Sequence, residues 1–226
     1  GSRLPVGSAA AVRASPRGMA VPYNEKSMEQ ANLLYWVIPV MITQTAYIYY
    51  FGFNASLRTR QLSIALLGIA WCAAAMKVEL TLEATYPHFD YHNPPADMGK
   101  YTPFCDFAWW AKCSKVLMSP YGRVMQYSGV ASPGSLLDVP NPVLGTFYFL
   151  AHVIYPVLQA VKFPMLDFFA VTASGCVCLF SIWLGHKLFI VLQDFCIVCV
   201  SSYVANFLLF FTMAQIATAN KTKLKQ

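Results

Sequence analysis

The sequence predicts an all-α integral membrane protein, and three observations carry that prediction. Hydrophobic residues make up 57% of the 226 positions and charged residues 12%, where a soluble domain holds about half and about a quarter. The mean hydropathy is +0.48. Apolar runs recur along the chain, each long enough at about 1.5 Å per residue to cross roughly 30 Å of hydrocarbon.

The elements follow in order. Residues 1–30 form a tail with Arg3, Arg13 and Arg17, several Ser and Ala, and no acid before Glu25. That bias fits an organellar targeting remnant, with an expression scar or a disordered tail as equal alternatives. Residues 31–53 (ANLLYWVIPVMITQTAYIYYFGF) form a first span in which Pro39, Thr43, Gln44 and Thr45 require local satisfaction. A polar link with Arg58 and Arg60 leads to a second run, Leu62 to about Leu82, where Lys77 and Glu79 lie near the interface. Residues 83–141 lack a comparable apolar run and are rich in Pro, Gly, Tyr, Trp and charge. A connection of that length is a functional candidate, and we read it as a folded lid on one membrane face.

Asn141-Pro142 opens the third span, with Asn141 expected as the N-cap and Pro142 as the first helical residue. A turn at Lys162, Phe163 and Pro164 separates it from the fourth span, Met165 to Leu192. The fifth runs from Phe195 to about Ala217, and residues 219–226 are a basic tail with Lys221, Lys223 and Lys225. Alternating five spans gathers Arg58, Arg60, Lys162 and the C-terminal lysines on one side, with the lid on the other. By the positive-inside rule the lysine side faces cytosol, stroma or matrix; the N-terminal arginines run against it. The +6 net charge lies in loops and tails, which excludes nucleic acid as a partner and leaves the lipid bilayer.

Seven cysteines are present, and four stand where chemistry is plausible. Cys196 and Cys199, in DFCIVCVSSY, begin a helix at the membrane surface. Positions i and i+3 are within disulfide reach, and a helix N-terminus favours thiolate. Cys105 and Cys113 lie in the lid on the same side. On one continuous helix they would stand roughly 12 Å apart, so they pair only if FCDFAWWAKCSKV bends; otherwise each is available to an outside thiol. The alternative for Cys196 and Cys199 is half a zinc site, for which His88 and His92 would have to complete the ligands. No second ligand cluster adjoins the C-x-x-C, so redox chemistry is the reading and no metal is expected. Cys72, Cys176 and Cys178, inside spans, are expected as small core residues.

A redox pair at a bilayer surface needs an electron partner, and lipid-soluble ones are quinones. Their pocket should be apolar with a few donors aimed at the ring oxygens. Tyr203 shares a helix face with Cys199 and Cys196, and Asn141 can supply an amide from across the bundle. Their structural alternatives are an interfacial aromatic and a helix cap.

FCDFAWWAKCSKVLMSPYGR, then NPVLG, then DFCIVCVSSYVAN, in this order and separation, resembles the vitamin K epoxide reductase family of membrane thiol oxidoreductases over residues 60–218. The resemblance implies a four-helix bundle around a quinone, capped by a lumenal lid (83–141), with residues 31–53 an additional N-terminal transmembrane helix. It implies that Cys199 contacts the quinone, Cys196 exchanges with Cys113, and Cys105 relays to an external, thioredoxin-like thiol partner. Asn141 and Tyr203 would bond the quinone oxygens and Ser119 would help hold the lid. The quinone type (phylloquinone, menaquinone, plastoquinone or ubiquinone) and the choice between disulfide generation and epoxide reduction stay open. His186 and Lys187 depart from the expected apolar pattern and are read as polar contacts with another helix or subunit. The runner-up role is an accessory subunit of a larger organellar membrane complex. Thylakoid or mitochondrial inner membrane is the expected location, with the active site lumenal; endoplasmic reticulum is the alternative.

Overall fold

The computed structural model describes residues 30–86, 102–132, 134–163 and 165–223. Regular secondary structure among the described residues is helical, apart from one isolated bridge between Ala108 and Ala111, and turns and irregular segments join the helices. In chain order they form α1 (Ile38–Tyr47) between π-helical turns Leu33–Val37 and Ile48–Phe53, α2 (Leu57–Thr85), α3 (Cys113–Leu117), α4 (Val124–Tyr127), α5 (Asn141–Ala160), α6 (Leu166–His186) continued by a π-helical stretch Lys187–Val191, and α7 (Ile197–Lys223).

Among the described residues, four helices are long and apolar enough to cross a membrane: Leu57–Thr85, Asn141–Ala160, Leu166–Val191 and Ile197–Thr222. In α2 and α7, 44% of the apolar window is buried inside the protein, against 17% in α5 and α6, so the first two are central and the last two present most of their surface outward. Packing runs α5 on α2, α2 on α7, and α7 on α6. Exposed Phe147, Ile154, Leu179 and Ile182 on the outer helices are what a lipid-facing surface requires. The α2–α5 contact is close because small residues sit in it: a Cβ at Gly68 would lie 2.3 Å from the Phe149 ring, and one at Gly145 would lie 2.8 Å from Cys72 Sγ.

Residues 31–53 do not appear among those four helices. They are helical, but π-helical turns divide them, and the Pro39–Thr45 polar stretch lowers their hydropathy. Thr43 and Thr45 satisfy their hydroxyls within the helix, on the carbonyls of Pro39 and Met41 at 2.8 and 2.7 Å. The segment lies along α2, with Tyr47 Oη donating to Ser63 O at 3.0 Å, and it runs the length of the bundle. Its start touches the cysteine-bearing connection through Asn32, and its end, Phe53 O, accepts from Arg60 at 2.9 Å.

Ser56 caps α2, accepting from Thr59 N–H at 3.4 Å. At this end Arg60 donates to Gln215 at 3.2 Å and Arg58 reaches Gln159 at 3.5 Å. Asp167 receives Tyr155 Oη and Asn220 Nδ2. The start of α2, the end of α5, the start of α6 and the end of α7 therefore share one end, as the alternation of spans requires. At α5 the expected cap is displaced by one residue. Pro140, extended at ψ 147°, is the N-cap and Asn141 is already helical, because its amide is engaged elsewhere. Cys176 corrects the expectation of three core cysteines: Cys72 and Cys178 are buried, whereas Cys176 is exposed. Two helical residues apart, at about 100° per residue, 176 and 178 cannot share a face.

Candidate functional site

The site lies at the end of the bundle opposite Arg58 and Arg60. Cys196 ends the link after Val191, and Cys199 stands in the first turn of α7. They form a disulfide with Cα atoms 5.3 Å apart, as the three-residue spacing predicts. The π-helical stretch before them closes with Leu192 N–H donating to Lys187 O at 2.9 Å, and Gln193 turns the chain at a positive φ of 52°.

The connection folds onto this link. Phe195 N–H donates to Trp110 O at 2.9 Å, Lys115 forms an ion pair with Asp194, and Phe107, Trp110 and Phe195 meet edge to face. These contacts place both cysteine pairs at one end of the molecule. Cys105, Cys113 and Cys196, each 0% exposed, belong to one apolar cluster, with Cys199 packed against it.

FCDFAWWAKC does bend. Asp106 N–H donates to Pro103 O at 3.0 Å, closing a turn with Cys105 at its third position, and Ala111 N–H returns to Ala108 O at 3.0 Å. Helix α3 starts at Cys113. The ligand atoms of Cys105, Asp106 and Cys113 consequently lie within 4.8 Å of one another. Asp106 fixes the arrangement by accepting Ser114 N–H at 3.0 Å on Oδ1 and the Ser114 hydroxyl on Oδ2. Burial pushes the Cys105 thiol well above its ordinary value, and the neighbouring Cys113 and the Asp106 carboxylate push the same way. In this closed arrangement Cys105 is a thiol, not a thiolate. The three groups could ligate one metal, but a zinc site takes four ligands; His88 and His92, the ligands considered for a zinc site on Cys196 and Cys199, lie outside the described residues.

Burial also raises the Asp106 carboxyl, to about 6, against the opposing pull of its Ser114 hydrogen bonds. The folded chain therefore holds the Asp106 proton at pH values where the unfolded chain, at 3.8, has released it. Stability is greatest below the unfolded value and falls as pH rises through the window up to about 6, by about 3 kcal/mol. Asp106→Asn keeps an acceptor for Ser114 and removes the ionisation, so thermal melting across that window is expected to lose most of its slope.

On the other side of Cys199 is a cavity of about 260 Å³ between α2, α5, α6 and α7. Its walls are chiefly apolar, including Leu144, Phe149, Leu188 and Val198, with Cys199, Tyr203, Asn141, Tyr148, Asn206 and Lys187 adding sulfur and polar groups. The lining suits a flat, apolar ring, and two buried polar atoms in it have no partner among the described residues: Tyr148 Oη, which can donate to a ring carbonyl, and Asn206 Oδ1, which can only accept and so would meet a hydroxyl of a reduced ring. Cys196 does not line the cavity; Cys199 does.

The predicted site residues are distributed accordingly. Asn141 lines the cavity while pinning the connection, since its Oδ1 accepts Val124 N–H at 2.9 Å and its Nδ2 donates to Tyr121 O at 2.6 Å. One amide hydrogen remains for a ligand. Tyr203 lines the cavity beside Cys199. Ser119 is buried but absent from the cavity wall, and its hydroxyl donates to Val116 O at 2.6 Å. Lys187 turns inward, with Nζ 5.5 Å from the Tyr121 ring and 5.6 Å from the Trp183 ring, a contact between the connection and α6; His186 is exposed. Sequence reasoning missed Asn206, three residues beyond Tyr203 on the same face, and Asp106 with Ser114, whose eight-residue spacing repeats that of the cysteines. It also missed Arg123, which gathers Glu79, Glu83 and Asp138 where the connection meets α2.

Comparison with known proteins agrees with this geometry. The profile of the "Vitamin K epoxide reductase family" matches residues 61–214. The chain is 29% identical over 126 residues to "Vitamin K epoxide reductase complex subunit 1" of Mus musculus, covering 54% of this chain and 75% of the mouse protein. Similarity to the Rattus norvegicus protein of the same name has the same extent. With its helical membrane bundle, disulfide-forming C-x-x-C and adjoining thiols, the chain belongs to the vitamin K epoxide reductase family of membrane oxidoreductases acting on thiols.

Proposed function

We propose that the protein transfers electrons from an external thiol partner, through Cys105 and Cys113, to Cys196–Cys199 and on to a quinone in the cavity. The observation that carries this is the division of the C-x-x-C: Cys199 opens into the apolar cavity, whereas Cys196 is buried with Cys105 and Cys113. The Cys113 thiolate attacks Cys196, forming Cys113–Cys196 and releasing the Cys199 thiolate. Cys105 then attacks Cys113 and releases Cys196. The outer pair loses two electrons and two protons, and the inner pair gains them. The quinone supplies the two-electron, two-proton acceptor that reoxidises the inner pair.

Asn141 and Tyr203 orient the ring oxygens, and Ser119 stiffens the connection, which acts as a lid. A thioredoxin-like protein is the source of electrons, consistent with sulfur chemistry shut away from bulk solvent. Residues 31–53 cross the membrane as a fifth helix, a reading supported by their reach from one end of the bundle to the other. The arginine and lysine end faces stroma or matrix and the cysteines face the lumenal side of an organelle membrane.

The test is turnover by the purified chain in lipid with a dithiol and a panel of phylloquinone, menaquinone, plastoquinone and ubiquinone analogues. One quinone consumed per two thiols is expected. Failure to reduce any of them, or their epoxides, overturns the reading.

A further inference from the structure

Asn32 stands outside residues 61–214, the stretch matched by the family profile, yet it reaches the outer cysteine pair. Its side chain is buried, and its amide nitrogen donates twice: to Pro103 O at 3.0 Å and to Asp106 O at 2.9 Å. Those carbonyls belong to the first and last residues of the turn that carries Cys105, a turn also closed by Asp106 N–H on Pro103 O. One side-chain amide therefore brackets Cys105 from both ends. On its far side, the same turn is tied to α3 by Asp106 on Ser114, the residue after Cys113.

We propose that Asn32 is a positioning residue for the Cys105–Cys113 pair, through which the helix preceding the family-matched region controls how readily the outer thiols open and oxidise. The chemistry requires two donors on one short side chain. A primary amide has them; a carboxylate has none and a hydroxyl has one. A buried carbonyl deprived of its donor carries a desolvation penalty, and the turn relieves it by opening to water. Opening exposes Cys105, whose burial is the chief reason its thiol resists ionisation. A freed Cys105 reacts faster with outside electrophiles, and the paired disulfide loses the pre-arranged geometry that favours its closure.

The proposal rests on the relay reading of Cys105 and Cys113, so its test uses two readouts that need no quinone. In the full-length chain in lipid with Cys196 and Cys199 both changed to Ser, the Cys105–Cys113 dithiol is equilibrated against glutathione redox buffers. In a second background carrying Cys113→Ser, the alkylation rate of Cys105 is followed by mass shift. Asn32→Leu keeps the volume and removes both donors, Asn32→Ser removes the reach, and Asn32→Gln retains two donors as the conservative rescue. Thr43→Val, on the same helix and bonded only within it, is the control.

Leu and Ser variants are expected to alkylate Cys105 at least tenfold faster and to shift the equilibrium constant for disulfide formation several-fold toward the dithiol, with Gln and the control near the parent. Leu and Ser variants that match the parent within twofold in both readouts overturn the proposal. So does failure of both variants to fold, since that makes Asn32 a general core residue. If the dithiol forms no disulfide in any variant, including the parent, the relay reading fails, while the alkylation series still decides whether Asn32 restrains Cys105.

Discussion

Cys199→Ala is expected to lower dithiol-dependent quinone turnover by about 10³-fold or more, because in the proposed relay it removes the sulfur that meets the quinone rather than a supporting contact. Combined with Cys105→Ser, the same variant should accumulate a Cys113–Cys196 mixed disulfide when its thiols are oxidised, since both thiols that could resolve it, Cys105 and Cys199, are then gone. Peptide mapping under non-reducing conditions checks this directly. Cys196→Ala is the complementary case: Cys199 retains its cavity position, but exchange with the outer pair stops. A Cys199→Ala chain with full turnover would remove the C-x-x-C from the chemistry.

Arg123→Met is expected to have the largest effect on stability. Arg123 stands 3.3 Å from Glu79 and 3.4 Å from Asp138 and also pairs with Glu83, and it donates to the Asp138 carbonyl at 3.0 Å. Burial by itself weakens the guanidinium's hold on its proton, but the three carboxylates more than offset this, and its pKa is raised. Glu79 is 2% exposed. Removing its counter-charge leaves a buried carboxylate beside two more acids, a change that costs about 3–5 kcal/mol when one partner of a buried pair is lost. Arg123→Lys should fall between, because one ammonium cannot serve three carboxylates with the reach of a planar fork. Melting of the chain in detergent, with Glu79→Gln added to Arg123→Met, checks the cause: the second change should recover part of the loss. Turnover should fall too, since Val124 next to Arg123 donates to Asn141 at the cavity wall.

Local periodicity made much of this site legible. Cys196, Cys199 and Tyr203 fall on one helix face by spacing alone, and apolar length marks the four helices that suffice to cross a membrane, together with residues 31–53, which are not among them. The same periodicity, applied to 176 and 178, would have separated a surface cysteine from a buried one. Pairings over long separations could not be read this way. Asn32 meets carbonyls 71 and 74 residues away, and nothing in ANLLYW signals that its amide leaves its own helix. Lys187 looked misplaced in an apolar run because its aromatic partner on the connection, Tyr121, is distant in sequence. Capping statistics favour Asn141 one residue outside its helix, while the structure employs its amide to hold two residues of the connection. Spacing leaves the bend between Cys105 and Cys113 open, and the turn at Pro103–Asp106 closes it.

The complete enclosure of Cys105 and Cys113 insulates the inner disulfide from casual discharge. Glutathione and other small reductants in the surrounding fluid reach the buried outer pair only while the turn is open, so discharge of Cys196–Cys199 by that route is slow between encounters. On the proposed relay, delivery of electrons would demand a visitor able to prise the Pro103–Asp106 turn away from its seat, and partner choice would be settled by mechanical access before any sulfur–sulfur bond is exchanged.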